Sequence, residues 1–344
     1  MRNQRVNEPT SQRFLLVVSL CLLILAGGCQ EPVSPATGSA SPEFAVDVDI
    51  LPSIAPPTTR SLHLFFDELD YSWEELDDGV PPFILERFPE DLDRQTRKRK
   101  QTFFMGLLPL VLLANQEIEA ERGRFQEIMA RVDQGETVDP SDSQWLQDLV
   151  SSYRLTGSPL VDHGLRRQIL TRIDTIPPSL VLAQAANESA WGTSRFAREG
   201  NNLFGEWTFR KGAGIVPARR DPQANHEVRI FADLYQSVRS YLKNLNTHNA
   251  YRELREIRAR LKQDGQTVSG RDLVHGLKRY SAREEEYVAE IDAMIRQNRL
   301  SRVNRTYLRQ SPAETAVESS RPGAGLFASR QTLSAQTSTL REDP

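Results

Sequence analysis

One carboxylate stands apart from the 46 acidic residues of this 344-residue chain because of the residues around it. Glu188 closes an alanine-rich stretch and is followed by Trp191-Gly192, Asn201-Asn202 and Leu203-Phe204-Gly205. At helical spacing Val181, Gln184, Ala185 and Glu188 share one face, so the acid points inward from the last turn. Its neighbours there are small enough for another element to come close. Partial burial and the negative end of the helix both favour the protonated carboxyl, the form a general acid needs near neutral pH. Trp191, Asn202, Phe204 and Trp207 then supply rings and amides of the kind that line a sugar groove. Read from their chemistry alone, the same residues also suit a helical hairpin with Glu188 in a structural pair, the rings in the core and the asparagines at turns.

Glycosidases usually work with two carboxylates flanking the bond. Residues 212–232 offer Glu227, with Asp221 at the turn and Glu206 just before the segment. Glu227 is the chosen second acid. The alternatives are a charged guard on an edge strand and a reaction assisted by the substrate's own N-acetyl group. The five histidines form no i, i+4 pair, so no metal site is expected. No phosphate loop or nucleophile elbow occurs, and no cofactor is expected. A formal charge of −3 shows no basic excess pointing to nucleic acid.

The elements that must hold these residues read as mainly α. Pro177-Pro178 can open the helix that ends at Glu188. Thr193 or Ser194 can cap a short second helix, which Gly200 can stop in a left-handed conformation. Apolar residues recur at steps of three and four within Lys98 to Arg122, around Trp145 to Val150, and in sets beginning at Val238, Leu254, Leu273 and Tyr287. Ile215 to Ala218 and Val228 to Phe231, with turn residues between, predict a small β-hairpin lobe. The acidic, aromatic stretch Leu64 to Pro89 is read as a solvated structural collar.

The ends read differently. Residues 1–28 have the layout of a signal peptide: Arg2, Arg5 and Arg13, then an apolar run from Phe14 to Ala26. Leu25-Ala26-Gly27-Gly28-Cys29 resembles a lipobox, with Ala26 where Leu is commoner, so Cys29 would carry a lipid anchor to the membrane. By resemblance to bacterial lipoproteins, the absence of Asp after it favours the outer membrane and a periplasmic setting. Residues 29–60 form a Pro-rich tether. They precede an N-terminal helical and acidic extension (61–160), a second domain (161–302) and a tail expected to be disordered (303–344).

The motif Glu188-Ser189, Trp191-Gly192, Ser194, Ala197, Asn202 and Leu203-Phe204-Gly205 resembles that of glucosaminidases of glycoside hydrolase family 73, most closely their Bax-type members. The resemblance covers roughly Ile173 to Leu300, including Arg229-Ile230-Phe231, Ser237 to Leu245 and the segment Tyr280 to Tyr287. It implies a lysozyme-like helical domain with a small β-lobe and makes Glu188 the catalytic acid. Tyr280 matches a family tyrosine near that acid. The expected substrate is the glycan strand of peptidoglycan, cut after N-acetylglucosamine. Two other readings stand beside it: a lytic transglycosylase, and a non-catalytic glycan-binding envelope lipoprotein.

Overall fold

Thr58 and Ser61 begin the helical order through a capping box, each hydroxyl accepting the other residue's amide at 3.1 Å. This starts α1 (Thr59–Glu68). The computed structural model describes residues 48–92, 96–218, 220 and 224–310. The expected signal peptide, Cys29 and the tail beyond 310 lie outside the described residues. Residues 48–60 are not simply tether. Leu51 is buried, and β1 (Ser53–Ile54) pairs in parallel with β2 (Ile84–Leu85). At the other end a 3₁₀ turn, Leu300–Arg305, and a bridge between Leu308 and Val80 carry the packed body to residue 310, past the expected boundary at 302.

The collar is a core-forming lobe, not a solvated one. Its acids face water, while Phe66, Tyr71, Leu76, Phe83 and Leu85 are buried. Phe66 meets Tyr71 edge-on at 5.5 Å and Phe65 meets Phe83 at 5.2 Å. Rings that size carry more burial energy than the interleaved acids can oppose from the outer face.

Helix α2 (Thr96–Asp133) runs past both ends of the predicted span. By length and composition its apolar stretch could cross a membrane. Here protein covers it: Phe103, Leu107, Leu108, Leu110 and Val111 are inaccessible, and α5 (Pro178–Glu188) and α7 (Leu234–Thr247) pack on it. Asp139 caps α3 (Pro140–Ser152) and Asp162 caps α4 (His163–Arg172).

Side chains of other helices meet the backbone groups around the link from α4 to α5, three of them at more than one group. Asn115 donates to the Ile176 carbonyl at 2.8 Å and accepts its amide at 3.0 Å. Arg122 donates to the carbonyls of Leu170 and Ile173. Arg258, fully buried, donates to those of Thr171, Asp174 and Thr175 and lies 3.6 Å from the Asp174 carboxylate. With its entry clamped, α5 begins at Pro178 as predicted, and every residue from Pro178 to Ala186 is buried. A helix apolar on all sides belongs in the centre of a domain.

After α5, Ser194 caps α6 (Arg195–Gly200) by accepting from the Ala197 amide. The left-handed residue is Asn201 (φ +52°), not Gly200. Gly200 serves close approach instead: a Cβ there would lie 3.0 Å from the tip of Ile215. The predicted hairpin forms as β4 (Gly214–Ile215) and β5 (Glu227–Arg229), antiparallel, with Ile215 opposite Val228. β3 (Trp207–Thr208) adds to the other side of β5, so the lobe has the order β3-β5-β4. Helices α8 (Arg252–Gln263) and α10 (Glu285–Gln297) fall where periodicity places them. The set beginning at Leu273 makes only a short α9 (Gly270–Leu273), which tightens into a 3₁₀ turn through Tyr280. The fold is mainly α with a small β-lobe, as expected.

Candidate active site

Glu188 occupies the last position of α5, where the axis delivers it from the core to a half-buried position. Burial pushes its carboxyl up to about 7, against hydrogen bonds from Tyr287 and Asn187 that pull the other way. The Tyr287 hydroxyl, on α10, donates to Oε1 at 2.8 Å. The Asn187 amide reaches the same oxygen at 3.5 Å. Among the described residues no arginine is hydrogen-bonded or ion-paired to Glu188. A carboxyl of this kind holds a proton near neutrality and can release it, which suits a general acid.

The chain leaves α5 through three successive left-handed residues: Ala190 (φ +51°), Trp191 (+61°) and Gly192 (+77°). Two of them carry a Cβ, so the turn is strained and must be held from outside. Ser189 does part of this, its hydroxyl donating to the Ala185 carbonyl at 2.6 Å and accepting the Gly192 amide at 2.8 Å. The collar, Leu92 and the first part of α2 supply the rest. A Cβ on Gly192 would meet Phe88 at 3.0 Å, and Leu92 and Phe103 at 3.3 Å. Trp191 packs edge-on against Phe103 and Phe104 at 6.0 and 5.2 Å, with Lys100 Nζ 4.6 Å over its ring.

The other sequence candidates divide. Asn202 is buried, and its amide closes the loop, accepting from Glu206 N and donating to the carbonyls of Glu206 and Arg229. It is therefore a loop staple, not a groove-lining amide. Phe204 is likewise a core ring instead of a groove ring, stacked 3.8 Å from Tyr241 at 4°. The Tyr280 hydroxyl donates to the Phe204 carbonyl at 2.9 Å, and its ring stacks on Tyr287 at 5.3 Å. Tyr280 thus stands one ring behind the acid, and Tyr287 is the tyrosine that touches it. Trp207 stacks on His226 at 4.1 Å on the lobe and is only partly covered.

The two lobe acids are shifted in opposite directions. Glu227 is buried at the start of β5, and the amides of Gly212 and Gly214 donate to its oxygens at 3.0 and 2.9 Å. Those bonds hold its carboxyl below the usual range. Glu206 is pushed up to about 6 by burial, with Ser240 donating to one oxygen at 2.7 Å and the other buried with no partner among the described residues. Among the described residues no group of three His, Cys, Asp or Glu side chains is placed to hold a metal.

Tyr287 closes the segment that the sequence singles out, but its spacing gives no reason to prefer it over Tyr280. Gln184 and Tyr241, which lie behind Tyr287, read only as core positions. Their hydrogen bonds come from three separate helices, and no local pattern marks them.

A family model described as mannosyl-glycoprotein endo-beta-N-acetylglucosaminidase matches residues 167–300. The chain is 32% identical over 200 residues to Protein bax of Escherichia coli (strain K12), covering 58% of this chain and 70% of that one. Among solved structures it is similar to the catalytic domain of the autolysin Auto from Listeria monocytogenes, at 18% identity and a TM-score of 0.30. That match covers 52% of this chain and 96% of that one.

Proposed function

The chain belongs to the family of Protein bax and carries a glucosaminidase domain at residues 167–300, and from that premise we propose that it is a peptidoglycan hydrolase cutting the β-1,4 bond after N-acetylglucosamine. The observation that carries this reading is the half-buried Glu188, held near pH 7 at the end of the central helix with Tyr287 bonded to one oxygen. Glu188 protonates the glycosidic oxygen. The bond from that oxygen to the anomeric carbon then breaks, and its electron pair leaves with the oxygen. Positive charge develops on the sugar, where a carboxylate or the substrate's acetamido group stabilises it, and water then bonds the anomeric carbon while giving up a proton to a carboxylate.

Glu227 is our choice for that carboxylate, because its backbone bonds keep it ionised throughout the range in which Glu188 is protonated, whereas Glu206 is raised by burial and takes up a proton below about 6. Its two amide bonds make it a weak base, better suited to stabilising charge than to abstracting a proton. Trp191 and Trp207 are the rings left to border the glycan. No cofactor enters this chemistry. A lipid on Cys29 would hold the enzyme on the periplasmic face of the envelope, within reach of the wall.

Digestion of dye-labelled sacculi by the purified protein tests the reading. Release by the wild type and none by Glu188→Gln is expected; equal release by both removes Glu188 as the acid, and binding without release by either leaves a glycan-binding lipoprotein. Mass spectrometry of the products separates hydrolysis, with reducing N-acetylglucosamine ends, from transglycosylation, with 1,6-anhydro ends.

A further inference from the structure

Behind Glu188 runs a chain of hydrogen bonds whose direction is set at its far end. The Tyr241 hydroxyl donates to Oε1 of Gln184. Nε2 of the same amide donates to the Tyr287 oxygen at 2.9 Å. Tyr287 in turn donates to Oε1 of Glu188 at 2.8 Å. A carboxamide has one accepting end and one donating end, and a phenol has a single proton to give. With Tyr241 donating to its oxygen, Gln184 must show its nitrogen to Tyr287. The one proton of Tyr287 is then left for Glu188. If the amide turned over, Tyr287 would give that proton to Gln184, and Glu188 could bond the phenol only by donating to it.

Water offers no easy substitute for any of these partners. Gln184 and Tyr241 are fully buried and Tyr287 is 1% exposed. The stacked ring of Phe204 holds Tyr241 in place. An unmade bond in such a site leaves a polar group stranded, so the directions are mutually enforced.

We propose that Gln184 and Tyr241 are positioning residues of the acid: they fix the direction of a hydrogen-bond chain that ends on Oε1 of Glu188 and thereby leave the transferable proton on Oε2. This rests on reading Glu188 as the general acid. The proton departs from Oε2 to the leaving oxygen while Oε1 keeps its bond to Tyr287. That bond strengthens as the carboxylate forms, because a charged acceptor binds a donor more tightly than a neutral one. The chain therefore stabilises the acid's product at the moment of transfer.

Other titratable groups also face the acid. Arg283 favours its ionised form and Glu290 opposes it, and the two are paired with each other at 2.6 Å. Tyr280 stacks behind Tyr287, and Glu206 lies near enough to Tyr241 to disfavour that phenol's ionisation. None of these groups is part of the chain Tyr241–Gln184–Tyr287.

The test is a double-mutant cycle on the full chain. Tyr241→Phe, Tyr287→Phe and the double variant are compared by the pH at which the Glu188 carboxyl titrates, read by carbon-13 NMR. The pH profile of kcat on sacculi is measured alongside. Tyr287→Phe should raise the titration by about one pH unit, because a bond to the charged form is lost. Tyr241→Phe should raise it by less in the wild-type background and not at all in the Tyr287→Phe background. The basic limb of kcat should move upward in step. Equal shifts in both backgrounds, or none in either, would overturn the proposal. Gln184→Met is similar in length and uncharged but holds neither end of the chain, so it should raise the titration as Tyr241→Phe does, in the wild-type background only; an unchanged value there also overturns it. The carboxyl is read without turnover, so a coupled cycle in a protein that digests no sacculi would uphold the relay and refute the hydrolase.

Discussion

The hydroxyl of Ser189 accepts the Gly192 amide at 2.8 Å, tying the residue after the acid to the third residue of a left-handed turn. The same oxygen donates back to Ala185 at 2.6 Å, so one side chain joins the end of α5 to the strained exit. Ser189→Ala would leave the Gly192 amide unmet in a buried place. The expected cost is about 1–3 kcal/mol of stability. Chemical denaturation measures it, and a loss under about 0.3 kcal/mol would mean that other contacts hold the turn.

Glu188→Gln should change stability in a pH-dependent way. Burial raises the folded carboxyl to about 7 from 4.5, so the folded state binds its proton more tightly than the unfolded state. Wild-type stability then falls as pH rises from about 4.5 through 7, and the whole penalty is present above that. The amide does not titrate. The variant should match the wild type near pH 4 and exceed it near pH 8, by on the order of 3 kcal/mol at most. Thermal melts across pH show the divergence, and parallel curves for the two proteins would contradict it.

Gly192→Ala and Gly205→Ala separate strain from crowding. Both positions have positive φ, +77° and +71°. A Cβ at Gly205 meets nothing within 4 Å, whereas one at Gly192 meets Phe88, Leu92 and Phe103. Gly205→Ala should cost about 1–2 kcal/mol for the conformation alone. Gly192→Ala should cost more, by about 1–3 kcal/mol for overpacking, and should lower activity because the turn carries Glu188. Equal costs would show that the collar yields freely.

Glu227→Gln turns an amide donor toward one of two backbone donors, Gly212 N or Gly214 N. If the carboxylate stabilises the charged sugar, kcat should fall about 100-fold with KM nearly constant. Steady-state kinetics decides. A raised KM with kcat intact would reduce Glu227 to a latch on the hairpin.

Much of the fold was legible because its signals are local. The capped start of α6, the opening of α5 at Pro178 and the β4–β5 pair each follow from a few adjacent residues. The placement of Glu188 also follows, since helical spacing fixes which face it shares. What escaped depends on distant partners. The collar read as solvated because its acids are plain in the sequence, while the mutual burial of Phe66, Tyr71 and Phe83 is not. Gly200 looked like a helix stop, yet its bareness answers to Ile215 across the lobe. Phe204 and Asn202 looked like groove residues because the motif surrounds an acid. Their work lies beneath the surface, in a ring stack and a loop staple. Tyr287 over Tyr280 is a matter of which ring the turn before α10 brings forward, and no spacing rule decides that.

Helix α2 belongs to both halves of the molecule. It starts beside the collar, with Phe103 and Phe104 touching Trp191, and continues beneath α5 and α7. A polypeptide cut to begin at residue 161 would therefore bare the oily flank of α5 and clump rather than fold. The whole body should instead melt in a single step, the collar and the hydrolase core sharing one fate.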